Sequence, residues 1–135
     1  MNNNIPGYKE YLDMDKWYYI LVPVNTEAND ALSDYAFYDN EVDKVKDGFL
    51  YMRFHEDDYC LLEEYLFNFI DAECDLLINM YEEEFADPEV LPSVLEITER
   101  MINSSDNEEF IRLANEFKGL VEKAIQYNTC IGFFF

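Results

Sequence analysis

The chain has 135 residues, with 30 Asp and Glu against 9 Lys and Arg, giving a formal net charge of −21. That charge excludes direct duplex or phosphate binding, because like charges repel and no basic stripe is present to release counterions. A composition that is 50% hydrophobic excludes an acidic disordered chain, and the length predicts one domain, 1–135.

In chain order, Met1 to Gly7 has neither a basic n-region nor an apolar h-region, so no signal peptide is expected. Residues 1–14 read as a loosely ordered polar arm. Trp17 to Val22 is aromatic and β-branched and closes at Pro23, which predicts a strand buried on both faces. Thr26 is a candidate cap for a short helix carrying Ala28, Ala31, Leu32 and Tyr35 at helical spacing, with Tyr35 to Tyr38 open to a strand reading. Asp47-Gly48 marks a turn, after which Phe49 to Phe54 reads as a second strand. Glu56 to about Phe85 reads as one long helix or two close ones, with three acids in its first turn where the helix dipole favours them. Asp87-Pro88 and Leu91-Pro92 interrupt it. A shorter helix follows from Ser93 to Asn103, and Ser105 to Glu108 has the pattern of a capping box opening an amphipathic helix along Phe110, Leu113, Phe117, Val121 and Ala124. Thr129 to Phe135 reads as a third strand, expected to pair inside the sheet because three terminal phenylalanines left in water would promote aggregation. The predicted fold class is α+β: a small sheet of about three strands packed against helices, including a long central acidic helix and a C-terminal amphipathic one.

The longest apolar run, Trp17 to Val24, is far too short to span a bilayer, and an acidic surface is repelled by anionic lipid, so no membrane association is expected. The three cysteines form no C-x-x-C, and Cys60 and Cys74 on one helix would stand ~21 Å apart, beyond disulfide reach. Reduced thiols and a cytoplasmic location are expected.

The charge is segregated. Residues 56–99 hold fifteen acids and no Lys or Arg, whereas residues 1–55 hold ten acids against five cations and residues 100–135 five against four. Same-sign blocks destabilise through self-repulsion, so a merely soluble protein would intersperse both signs, and halophilic adaptation would spread acids over the whole chain. Wrapped on a straight α-helix, Asp57, Glu64, Asn68, Asp71, Asp75, Asn79 and Glu82 fall within an arc of about 80°, a stripe ~37 Å long. The stripe reads either as the wet face of a core helix or as a partner surface. The aromatic residues Tyr59, Tyr65 and Tyr81, with Tyr35 and Tyr38 before the helix, are candidate anchors beside it. Glu73 falls in the apolar arc, where a carboxylate needs a cation such as Arg53 or Arg100. Glu82-Glu83-Glu84 is expected to fray at a helix end.

No catalytic fingerprint is present. His55, the single histidine, lacks the orienting group and oxyanion site that a Cys60 nucleophile would need, and reads as a residue at the helix start. No calcium loop, E-x-x-H motif, phosphate cradle or nucleophile elbow occurs, so no catalytic, cofactor-binding or metal-binding residues are assigned.

In size, acidity, aromatic content and lack of catalytic motifs, the chain resembles bacterial toxin-immunity proteins. That resemblance implies a cytoplasmic inhibitor of a basic toxin or nuclease domain, with the cognate toxin usually encoded next door. The candidate partner-binding residues are Asp57, Asp58, Glu64, Asp71, Asp75, Glu82, Glu83, Tyr59 and Tyr65. The alternative reading is a nucleic-acid-mimicking inhibitor of the anti-restriction or anti-CRISPR type, in which the carboxylate stripe stands in for phosphates. A carboxylate- or metal-dependent enzyme is a third.

Overall fold

The computed structural model describes residues 16–34 and 36–135, so the N-terminal arm and Tyr35 lie outside the described residues. Four antiparallel strands form the main sheet in the order β4-β1-β6-β5, with β1 Tyr18–Pro23, β4 Phe49–Phe54, β5 Glu84–Ala86 and β6 Ile131–Phe134. A separate two-stranded hairpin pairs β2 Tyr38–Asp39 with β3 Lys44–Val45. The helices are α1 Thr26–Ala31, α2 Glu56–Leu62, α3 Asn68–Cys74, α4 Leu91–Ser104 and α5 Glu108–Tyr127, and a π-helical turn, Glu63–Phe67, joins α2 to α3. The fold is α+β, as the sequence predicts, with one strand more in the main sheet than expected.

β1 is central, and its alternation serves both faces. Tyr18, Ile20 and Val22 join Met52, Phe54, Ile131 and Phe133 against the helices, whereas Leu21 points into a second cluster with Leu32, Phe37 and Phe134. β6 is buried along its whole length between β1 and β5, which removes the hazard of the terminal phenylalanines. The final ring, Phe135, stacks with Tyr18 at 5.6 Å between centroids and with Phe67 at 5.9 Å. The long α5 lays Phe110, Leu113, Ala114, Phe117, Val121 and Ala124 against this layer, the stripe that its spacing predicts. Among the described residues, the two buried polar side chains are satisfied, since the Thr98 hydroxyl donates to the Val94 carbonyl and that of Thr129 to the Pro23 carbonyl, both at 2.7 Å.

Two helix starts fall one or two residues from their predicted caps. Asn25, not Thr26, caps α1 by accepting from the Ala28 amide at 2.8 Å. Asn107, not Ser105, caps α5 by accepting from the Phe110 amide at 3.0 Å, and Ser105 Oγ instead accepts from the Asn107 amide. An Asx side chain performs the same service as the hydroxyl three residues ahead of the amide it meets. α4 begins at Leu91, two residues before the predicted Ser93, because Pro92 in the first turn lacks only an N–H that would be unpaired there in any case.

The long acidic helix differs in two ways from a straight α-helix running to Phe85. It ends at Cys74, where Asp75 turns left-handed at φ 58°, and Glu84–Ala86 pairs with β6 as an edge strand instead of fraying from a helix. Its π turn also adds about one residue to the helical repeat, so every position downstream lags by ~100°. Phe69 and Glu73, inside on a straight wheel, are therefore rotated out, and Ile70 and Cys74 take their places. Phe69 is 42% exposed while Ile70 is fully buried. Glu73 is consequently no buried carboxylate. It lies in the open and accepts from Arg100 at 2.6 Å, one of the two cations expected for it.

Candidate functional site

The helix-facing side of the sheet is filled by the core. The opposite side carries the smaller cluster of Leu21, Leu32, Phe37 and Phe134, with Tyr19, Tyr38, Phe49 and Phe85 packed on it. Beside this cluster lies an open groove of about 960 Å³. Its aromatic lining comes from Trp17 at the start of β1, Tyr19 on β1, Phe37 and Tyr38 at the hairpin, Tyr81 on the loop after α3, and Phe134 on β6, while Phe135 also borders it but turns its ring to the helix-facing core. Its charged lining is Asp43, Glu82 and Glu83, with Lys16 as the one cation among the described lining residues.

The groove is partly braced from within. The Tyr38 hydroxyl donates to the Asp43 carboxylate, and that bond holds the phenol protonated well above its ordinary range. Asp43 sits at φ 53°, a left-handed position that Asp tolerates better than most residues. At the other end, Arg53 lies over the Trp17 ring, 4.1 Å from its centroid, and His55 stacks on the same indole at 3.8 Å. His55 Nδ1 is 2.9 Å from the Lys16 carbonyl oxygen. The histidine thus stands at the helix start, as its position predicts, and its ring packs against tryptophan.

The residues singled out from sequence separate into three groups. Asp57, Glu64 and Asp75 are exposed, the first two along the helix and Asp75 at its left-handed end. Asp58 and Asp71 are half-buried, and burial raises both carboxyl pKa values, for Asp58 with added repulsion from Glu109. Asp71 is committed internally, accepting from the Ile78 amide at 3.0 Å. Glu82 and Glu83 have left the helix and line the groove.

Of the two tyrosines, Tyr59 is corrected. Tyr59 is only 2% exposed, its hydroxyl donating to Glu63 at 2.8 Å and its ring against Tyr18 and Phe135, so it is a core residue with no surface to offer a partner. Its position in the apolar arc, with Leu62 and Leu66 one and two turns on, carried that signal. Tyr65 is half-buried with its ring 5.4 Å from that of Phe110, and packs between helices. The tyrosine that does face water is Tyr81, at 88%. Sequence reasoning missed Trp17, Tyr19 and Asp43 as groove residues. The aromatic density of 17–19 was visible, but only the sheet's pairing brings it beside the hairpin and the loop after α3.

Among the described residues, no group of three or more His, Cys, Asp or Glu is placed to hold a metal ion, and no helix is long and apolar enough to cross a membrane. All three cysteines are free. Comparison with protein-family models, with curated proteins and with solved structures finds no match.

Proposed function

We propose that this protein binds and neutralises a basic partner protein in the cytoplasm, as an immunity protein does a bacterial toxin nuclease. The observation that carries this reading is that several exposed acids of the block make no ion pair among the described residues. Among the described residues, the carboxylates of 56–99 reach cations at two points, Glu73 and Glu96 at Arg100 and Glu99 at Lys118. Asp57, Glu64, Asp75 and Glu82 are exposed and make no ion pair among the described residues. A field of one sign steers an oppositely charged partner to its surface and accelerates association, and it costs folding stability unless a partner uses it.

The nucleic-acid-mimic reading depended on an unbroken carboxylate stripe. With the helix ending at Cys74, the stripe loses its distal members Asn79 and Glu82, which supports the partner-specific reading over a general phosphate replacement.

Co-purification with the products of neighbouring genes, identified by mass spectrometry, tests the proposal. The expected result is one basic protein whose association rate falls steeply with salt. Neutralising Asp57, Glu64 and Asp75 together should slow association and flatten that salt dependence, while Asp71 is left intact because it serves the fold. Unchanged rate and salt slope would reduce these acids to a solvated face. Competition with DNA for several unrelated basic binders would instead favour the mimic.

A further inference from the structure

We propose that the groove on the outer face of the sheet seats an arginine side chain carried by the basic partner protein. This inference rests on the proposed function and names the contact that anchors it.

The groove combines two features. Its lining includes Tyr19, Tyr38 and Tyr81, and Tyr81 is the most exposed of the large hydrophobic residues described, with its ring open to a partner. Its rim carries Asp43, Glu82 and Glu83, with Lys16 as the one cation among the described lining residues. A guanidinium suits both, because it is planar and weakly hydrated, stacks on aromatic faces and forks onto carboxylates. The chain already makes this contact at the groove's edge, where Arg53 lies 4.1 Å from the Trp17 centroid. A volume of about 960 Å³ accepts a side chain together with part of the segment that bears it.

Other occupants fit less well. An anionic or phosphorylated segment meets the rim carboxylates, and a purely apolar one would strip them of water without compensation. A second copy of this chain brings another −21 charges to the same field. The chain's own residues 1–15 carry Glu10, Asp13 and Asp15 against Lys9 and supply no net cation.

Trp17, the single tryptophan, reports on the groove in the full-length chain. The experiment titrates the protein at low salt with a short arginine-rich peptide, its lysine counterpart and its glutamate counterpart, following Trp17 emission and, separately, heat of binding. The arginine peptide should change the emission saturably and bind several-fold tighter than lysine, and the glutamate peptide should not bind. Tyr81→Ala should weaken arginine binding by about 3- to 10-fold. Glu82→Gln with Asp43→Asn should weaken it by about 2- to 10-fold. Both sites are exposed, Asn accepts the left-handed backbone at 43, and circular dichroism checks the fold. Asp57→Asn with Glu64→Gln should leave the arginine-over-lysine preference unchanged.

Heat without any Trp17 response, with no arginine preference and lost on changing Asp57 and Glu64, would overturn the groove and leave the basic-partner reading standing. Emission that changes with protein concentration alone would overturn it in favour of a second copy. Displacement of the peptide by one spanning residues 1–15 would overturn it in favour of the chain's own N-terminus. Saturable arginine binding in the groove with no basic partner recovered from the cell would support the seat and count against the proposed function, so the two fail separately.

Discussion

The carboxylate of Asp71 accepts a hydrogen bond from the backbone amide of Ile78 at 3.0 Å, across the turn where the long acidic helix stops. Ile78 is buried, so this bond fixes the path by which the chain leaves the helix and reaches the groove loop and β5. An acid that reads from sequence as one of a row of surface charges is thereby a structural residue. Asp71→Ala should lower stability by about 1 kcal/mol, the ordinary worth of such a half-exposed bond. Asp71→Asn, whose side-chain oxygen still accepts, should lose less. Urea midpoints at constant slope measure the difference, and equal losses for both variants would place the effect on charge.

Gly132 on β6 has no room for a side chain. A Cβ built there would stand 2.6 Å from Phe134 Cε2 and 3.1 Å from Leu32 Cδ2, in the cluster beneath the groove. Gly132→Ala should cost about 1–3 kcal/mol through the shift that this overlap demands. Phe134→Leu should relieve part of that cost in the double variant, giving a favourable coupling in a mutant cycle. Strict additivity would show that the ring moves aside freely.

Stability should rise as the solution is made mildly acidic. Burial raises the carboxyl pKa values of Asp58 and Asp71 above the ordinary 3.8, so between their folded and unfolded values the native state holds more protons than the unfolded chain. Stability is then gained as the pH falls through the folded-state values, and relief of self-repulsion acts in the same direction. Glu109 opposes this at lower pH. Its hydrogen bond from Arg112 holds it below the ordinary 4.5, so its contribution is lost as the pH falls through that lowered value. The melting temperature at constant ionic strength should therefore rise as the solution is acidified from neutrality into the range where Asp58 and Asp71 take up their protons, and turn over below it as Glu109 loses its charge. A steady decline from neutrality to that range would contradict it. Asp58→Asn should raise the melting temperature at neutral pH and flatten the profile.

The three free thiols should react in a set order. Burial, with a hydrogen bond to Asp87 at 3.4 Å, pushes the Cys130 thiol up to about 11, whereas Cys60 is exposed on the helix. Because the thiolate is the reactive form, native alkylation near pH 8 should label Cys60 first and Cys130 last. Asp87→Asn should speed the modification of Cys130. Mass spectrometry over a time course reads both, and early labelling of Cys130 would show that the β6 end of the sheet opens.

Much of the fold was legible because the relevant signals are local. The apolar, β-branched run at Trp17 to Val22 and the terminal phenylalanines needed cover on two faces, and both became interior strands. The stripe from Phe110 to Ala124 has helical period and an Asx cap, and it formed one uninterrupted helix. The candidate site was legible in part. Glu82 and Glu83 do line the groove, but through a loop and not as the tail of a helical stripe. Tyr59 is buried and offers no anchor, because exposure depends on packing, which composition does not reveal.

What the sequence by itself determined is charge and its placement: −21 overall, with fifteen acids and no cation between residues 56 and 99. Those are covalent facts, and no folding changes them. Only the tertiary structure decided which acids remain available. A π turn of one extra residue rotates Glu73 out to Arg100 and turns Ile70 in. A left-handed Asp75 stops the helix, and pairing with β6 makes a strand of Glu84–Ala86. The pairing joins residues far apart in the chain, and the turn and the stop interrupt a regular repeat, so a periodicity read along one segment carries no information about them.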